Sequence, residues 1–213
     1  FTFIPNGVDT EQFKPKDISR GKLVDLLASD IKGKFVLLTA GRLITRKGVE
    51  WFIRNVMPAL PENIIYVVSG SGPAQENIRK AISEAGLGER VFMLGQVSND
   101  EREILLNTCD LFIQPNIPVA DDMEGFGLAV LEAASTGIPV IAANLEGLKD
   151  AISDHENGFL VEPCDREAFK EQIMSLCEDD IARKKHTVLA REYTAKHFHW
   201  RTIAKQYVQV FKG

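Results

Sequence analysis

Short, nearly unbroken apolar runs alternate along this chain with stretches of amphipathic helical spacing. The runs are Phe35-Val36-Leu37-Leu38-Thr39-Ala40, Ile64-Ile65-Tyr66-Val67-Val68, Val91-Phe92-Met93-Leu94, Leu111-Phe112-Ile113 and Pro139-Val140-Ile141-Ala142, each bounded by Gly, Pro or polar turns. Parallel strands buried on both faces read this way. Between them the spacing predicts helices over 49–60, 74–85, 100–107 and 128–136. Five strand–helix alternations in succession predict right-handed crossovers and an α/β, Rossmann-like, doubly wound parallel sheet, with 159–161 as a short sixth strand. Beyond Asp165 the pattern turns helical over 166–177, 181–196 and 201–211. The last of these, with Trp200, Ile203, Tyr207, Val210 and Phe211, predicts a helix packed on the sheet, or one that covers another domain of a longer parent. Residues 8–33 read as a polar opening without a clear element. Phe1-Thr2-Phe3-Ile4 reads as a strand entering the turn Pro5-Asn6-Gly7. With Phe rather than Met in first place, the expectation is a chain that starts inside a larger protein.

Composition narrows the function classes. With 213 residues, 45% hydrophobic and 26% charged, the chain has enough apolar surface for one full core. A net charge of -5 gives no reason to expect a nucleic-acid partner or an anionic membrane surface. Cys109, Cys164 and Cys177 form neither a disulfide framework nor a Cys-x-x-Cys pair, which fits a reducing, cytoplasmic setting. No apolar run reaches the roughly 20 residues of a transmembrane helix, so any membrane contact of the parent would be peripheral.

In an open parallel sheet, ligands bind outside the carboxyl ends of the strands, where following helices point free amides and partial positive charge. After the first run, Gly41 permits a close turn, and Arg42 and Lys47 put two cations on one loop, able to neutralise a diphosphate without metal. Arg46 is expected to be the solvent-facing charge of the three. Gly70 and Gly72 after the second run allow close approach by a ligand or by another chain segment. Gln75 breaks the dinucleotide fingerprint, against a nicotinamide or flavin cofactor. After the third run, backbone at Gln96 and Val97 is placed to meet a planar base, and Ser98 or Asn99 suits a helix N-cap. In the stretch from Asp121 to Ala133, Glu124 lies in a loop, Gly125 and Gly127 permit tight approach, and a helix starts near Gly127. Glu132 lies one turn along that helix from Leu128, so both carboxylates and the helix start are expected on one pocket. Asp121-Asp122 admits a metal reading, but Arg42 and Lys47 already supply charge, so no metal is expected. His155, His197 and His199 read as structural.

Gly41-Arg42 with Lys47-Gly48, Gly70-x-Gly72-Pro73, Leu94-Gly95, Glu124-Gly125-Phe126-Gly127-Leu128 with Glu132-Ala133, Gly137-x-Pro139-Val140-Ile141-Ala142 and Asn157-Gly158-Phe159-Leu160-Val161 occur in one order. Together they resemble the C-terminal, donor-binding domain of retaining GT-B glycosyltransferases of family 4. Ile4-Pro5-Asn6-Gly7-Val8-Asp9 resembles the segment that enters that domain. The resemblance implies a crossover over 1–15, a nucleotide-sugar-binding domain over 16–213, and an acceptor held by an N-terminal domain not contained in this chain. It implies that Arg42 and Lys47 bind the donor diphosphate, amides at Gly127 and Leu128 the phosphates, Glu132 the ribose, and Glu124 the sugar beside Gly125 and Phe126. Glu124, Arg42 and Lys47 would be catalytic in a metal-independent, cofactor-free transfer with retention. The loop 116–123 is longer than the commonest family form, which bears on the pose of Glu124. A nucleotide-sugar 2-epimerase of similar fold and a binding module without transferase activity are the alternatives.

Overall fold

A computed structural model describes residues 3–212. In chain order the elements are α1 (Gly21–Leu27), β1 (Phe35–Ala40), α2 (Val49–Asn55), β2 (Ile64–Ser69), α3 (Gln75–Glu84), β3 (Val91–Gly95), α4 (Asn99–Thr108), β4 (Leu111–Gln114), α5 (Leu128–Thr136), β5 (Val140–Ala143), α6 (Leu148–Ala151), β6 (Phe159–Val161), α7 (Arg166–Glu178), α8 (Asp180–His197) and α9 (Trp200–Lys212). Single 3-10 turns cover Thr45–Lys47 and Met57–Ala59. The strands form one parallel sheet in the order β3-β2-β1-β4-β5-β6, so strand order reverses between β1 and β4. Loops leaving those two neighbours in opposite directions open a crevice at their carboxyl ends.

All but one residue of β1 and every residue of β2 and β4 are buried, as apolar runs sandwiched between helices require. On the helical layers Phe52, Phe169 and Leu131 close the core. A polar cross-link inside the sheet joins the Tyr66 hydroxyl to Thr39 at 2.6 Å, and Thr39 in turn donates to the Ile113 carbonyl. That bonding spares three buried polar groups an unsatisfied state.

Four expectations change. Phe1 and Thr2 lie outside the described residues, and Phe3 and Ile4 are not in a strand; the first sheet-like pairing is the bridge of Val8 to His199. The segment 8–33 contains α1, which buries Leu23 and Leu27 and is locked down by Arg20, whose guanidinium spans Asp110 at 3.1 and 3.0 Å. The short α6 is also additional. The terminal helix α9 does not pack on the sheet: it buries Ile203 alone, while Trp200, Tyr207, Val208, Val210 and Phe211 are exposed.

Candidate functional site

The loop after β1 is fixed by backbone contact with the loop after β4. Gly48 has φ +67°, and a Cβ there would stand 1.8 Å from the Pro115 carbonyl oxygen, so only glycine fits. The Ile117 amide donates to the Arg46 carbonyl at 2.9 Å. The reversal point of the sheet is therefore bridged by main chain, and the side chains of both loops meet above it.

They meet at Glu124, which is 9% exposed. Its Oε2 accepts from Lys47 Nζ at 2.5 Å, Arg46 Nη1 at 2.5 Å and Asn116 Nδ2 at 3.0 Å. Its amide donates to the Glu146 carboxylate, and its carbonyl accepts from the Gly147 amide at 3.1 Å. Burial alone would raise this carboxyl's pKa; the hydrogen bond and charge of Lys47, with Asn116 and Arg46, outweigh burial and hold it below its ordinary value. The long loop thus leaves Glu124 ionised, with Oε2 held by three donors and its main chain by two hydrogen bonds.

The three cations of the first loop are arranged differently from the sequence expectation. Arg46 is enclosed along with Lys47, its side chain 16% exposed between Asp122 at 2.8 Å and Glu124. The Arg42 residue is exposed and its side chain makes no hydrogen bond or ion pair among the described residues. The reason is the 3-10 turn over Thr45–Lys47, which directs Arg46 and Lys47 together toward the later loop. Asp122 is committed to Arg46, and among the described residues no group of three or more His, Cys, Asp or Glu is placed to share a cation.

A cavity of about 400 Å³ lies over the carboxyl ends of β1, β2 and β3, lined by Gly41, Gly70, Gln96, Val97, Leu128 and Glu132 among others. Six of the sequence-predicted residues thus share one wall-to-wall space. Leu128 and Ala129, the first residues of α5, line it, and their amides donate to no backbone carbonyl among the described residues. Free amides at a helix start favour an anion. Arg42, Lys47 and Glu124 are not among the cavity's lining residues, so it takes in Glu132 but not Glu124, and the two carboxylates do not share it as the sequence leads one to expect.

The glycines divide by role. A Cβ at Gly70 would lie 1.8 Å from the Gly41 carbonyl oxygen and one at Gly72 2.2 Å from that of Leu43, so both mark close passage of one chain segment over another. Around Gly125 there is open space, whereas Phe126 is buried against Phe198 and Gly127 caps α5 with φ +80°. The N-cap of α4 is Ser98, in a reciprocal capping box with Glu101. Two residues escaped the sequence reading. Arg102 lines the cavity and pairs with Glu132; its only signal was a cation one turn after the Ser98 cap, facing the same strand ends. Glu146, beneath the Glu124 amide, carries no signal short of the fold itself.

The family described as glycosyl transferases group 1 matches residues 28–193. A GDP-mannose-dependent alpha-(1-6)-phosphatidylinositol monomannoside mannosyltransferase of Mycobacterium tuberculosis is 26% identical over 99% of this chain and 55% of its own length. A UDP-Gal:alpha-D-GlcNAc-diphosphoundecaprenol alpha-1,3-galactosyltransferase of Escherichia coli is 31% identical over 84% of this chain and 45% of its own length. Anabaena Alr3699/HepE, solved in complex with UDP, superposes with a TM-score of 0.87 at 24% identity, over 99% of this chain and 57% of that one. The chain therefore spans about half the length of the curated relatives it matches. With the parallel sheet and its reversal-point crevice in place, the match over 28–193 makes this chain a member of the glycosyl transferases group 1 family.

Proposed function

We propose that this chain is the donor-binding half of a retaining glycosyltransferase, holding a nucleotide-diphosphate sugar for transfer to an acceptor hydroxyl bound by a separate N-terminal domain. One observation carries the reading: a roomy cavity over the strand ends is lined by Leu128 and Ala129 at the start of α5, and the loops leaving the neighbouring strands β1 and β4 bring Lys47 and Glu124 together. A nucleoside fits the first space, with its base at Gln96 and Val97. Its diphosphate then lies on the Leu128 and Ala129 amides, within reach of Lys47 and the exposed Arg42. The sugar projects toward Glu124 and Gly125.

Bond cleavage at the anomeric carbon places negative charge on the departing diphosphate. Cations and amides fixed in advance stabilise that charge more in the transition state than in the ground state, which is what accelerates the step. Lys47 reaches this role by exchanging Glu124 for phosphate oxygen. Glu124, released on one side and still held by Arg46, Asn116 and its two main-chain bonds, is left to accept hydrogen bonds from the sugar. The activities named for the mycobacterial and Escherichia coli relatives, both transferring a sugar from a nucleotide donor, support the same class of donor.

The test is calorimetry of the chain with UDP, GDP, ADP and the matching nucleotide sugars, in chelator and without added metal. Micromolar binding under those conditions is expected. No binding to any of them, or binding that appears only with Mg²⁺, rejects the reading. In a protein that includes the acceptor domain, labelled donor should yield labelled glycan; a free isomerised monosaccharide would indicate an epimerase instead.

A further inference from the structure

Arg102 occupies a position that donor binding alone does not explain. It projects from α4 into the wall of the nucleotide cavity and meets the Glu132 carboxylate on α5, where Nη2 donates to Oε2. Its guanidinium carbon stands 5.1 Å from the centroid of the Phe13 ring. Phe13 is itself held, because its carbonyl accepts from Ser135 Oγ and from Arg191 Nη1, the latter at 3.1 Å. The guanidinium is thus placed between a ring, on a turn held by two hydrogen bonds to its main chain, and a carboxylate on α5. The pair is partly enclosed, with side chains 33% and 17% exposed.

Such enclosure has a chemical consequence. A lone glutamate on a helix face samples several rotamers, whereas one whose Oε2 is engaged presents its other oxygen in a single direction. Glu132 Oε1 has no hydrogen-bond partner among the described residues, and Glu132 lines the cavity. An aimed acceptor recognises a hydroxyl and penalises its absence, since the carboxylate oxygen then stays desolvated and unpaired.

We propose that Arg102 is a positioning residue that aims the free oxygen of Glu132 at a ribose hydroxyl, so that the cavity selects ribonucleotides over deoxyribonucleotides. The inference rests on the nucleotide reading above and adds to it the source of the pentose preference. A purely structural arginine would affect every ligand equally. A positioning arginine affects only ligands that carry the hydroxyl.

The experiment measures Kd for UDP, GDP and ADP and for their 2′-deoxy and 3′-deoxy counterparts with the wild-type chain, Arg102→Met and Arg102→Lys. Arg102→Met keeps most of the packing stem and removes the fork; Arg102→Lys restores charge without the fork. The wild type should prefer at least one ribonucleotide over one of its deoxy forms by about tenfold, the worth of one good hydrogen bond. In Arg102→Met that ratio should fall to within about twofold of unity through weaker ribonucleotide binding, with the deoxy Kd unchanged. Arg102→Lys should recover part of the ratio. If Arg102→Met does not fold by circular dichroism, Arg102→Gln takes its place with the same expected ratio. An unaltered ratio, an equal loss for ribo and deoxy ligands, or a wild type without preference overturns the role of Arg102 and leaves nucleotide binding standing. A wild type that binds none of these nucleotides overturns the nucleotide reading itself.

Discussion

Lys47 Nζ and Glu124 Oε2 stand 2.5 Å apart, joining the loop after β1 to the loop after β4 at the point where strand order reverses. A cation that the proposed function assigns to the diphosphate is thus paired with a carboxylate. A phosphate that claims Lys47 must therefore loosen one bond of Glu124, and donor binding and the pose of that carboxylate are coupled through a single ammonium. Arg46 and Asn116 keep Glu124 from leaving altogether.

Glu124→Gln should separate those two effects. Losing a largely buried carboxylate that serves two cations should lower stability by about 2–3 kcal/mol, seen as a lower denaturant midpoint. The freed Lys47 should hold nucleoside diphosphates as tightly as before or several-fold tighter, while any gain in affinity from the attached sugar disappears. Retention of that gain in calorimetry with a nucleotide sugar would remove Glu124 from the sugar site.

The same carboxylate gives a pH signature. Its folded pKa lies below its ordinary value of 4.5, because Lys47, Asn116 and Arg46 favour the charged form over the opposing effect of burial. A group depressed in the folded state adds stability above its unfolded pKa and loses it as pH falls through the folded one. Thermal melts should show the wild type losing stability on acidification below about pH 4.5, with a shallower loss in Glu124→Gln. Parallel curves for the two proteins would contradict the enclosure of this ion-pair cluster.

Glycines near the site should respond according to their surroundings. Gly48→Ala adds a carbon 1.8 Å from the Pro115 carbonyl at a backbone angle of +67°. Strain and displacement together should cost about 3 kcal/mol or more and loosen the bridge between the two loops. Gly125→Ala meets nothing within 4 Å. Its melting temperature should remain near wild type, and any weakening of nucleotide-sugar binding would then report contact with the ligand. Chemical denaturation of both variants, followed by titration of the folded one, makes the comparison.

Much of this architecture is written in local pattern, and the exceptions share a cause. Continuous apolar runs mark the strands because both faces of a parallel sheet are buried, and α5 spans Leu128–Thr136, as its apolar spacing and flanking glycines predict. Helix α1 was masked by its polar surroundings, although Leu23, Leu26 and Leu27 follow helical spacing. The mistaken outward placement of Arg46 has a different origin. Its partners Asp122 and Glu124 lie 76 and 78 residues away, and no spacing within one loop reveals which cation a distant loop will enclose. Arg102 and Glu132 likewise become neighbours only once α4 and α5 are side by side. Candidate residues were legible by type and position after strands; their pairing was not, because pairing is a long-range property.

Arg42 and Lys47 should part company when each is replaced by Ala. Arg42 is exposed and has no ion pair among the described residues, so its removal should change stability by less than about 0.5 kcal/mol. Lys47, with a side chain 13% exposed and paired to Glu124, should cost about 2 kcal/mol when removed, because the carboxylate loses a partner. For nucleoside diphosphate binding both should matter. Each charge-assisted contact to phosphate contributes on the order of 1.5–3 kcal/mol, so each variant should bind at least tenfold more weakly in metal-free calorimetry. Added salt should narrow the deficit of Arg42→Ala more than that of Lys47→Ala, since an exposed charge is screened and an enclosed one is not. An Arg42→Ala protein of unchanged affinity would leave phosphate recognition to Lys47 and the α5 amides. Arg42 would then stay exposed in the complex as well.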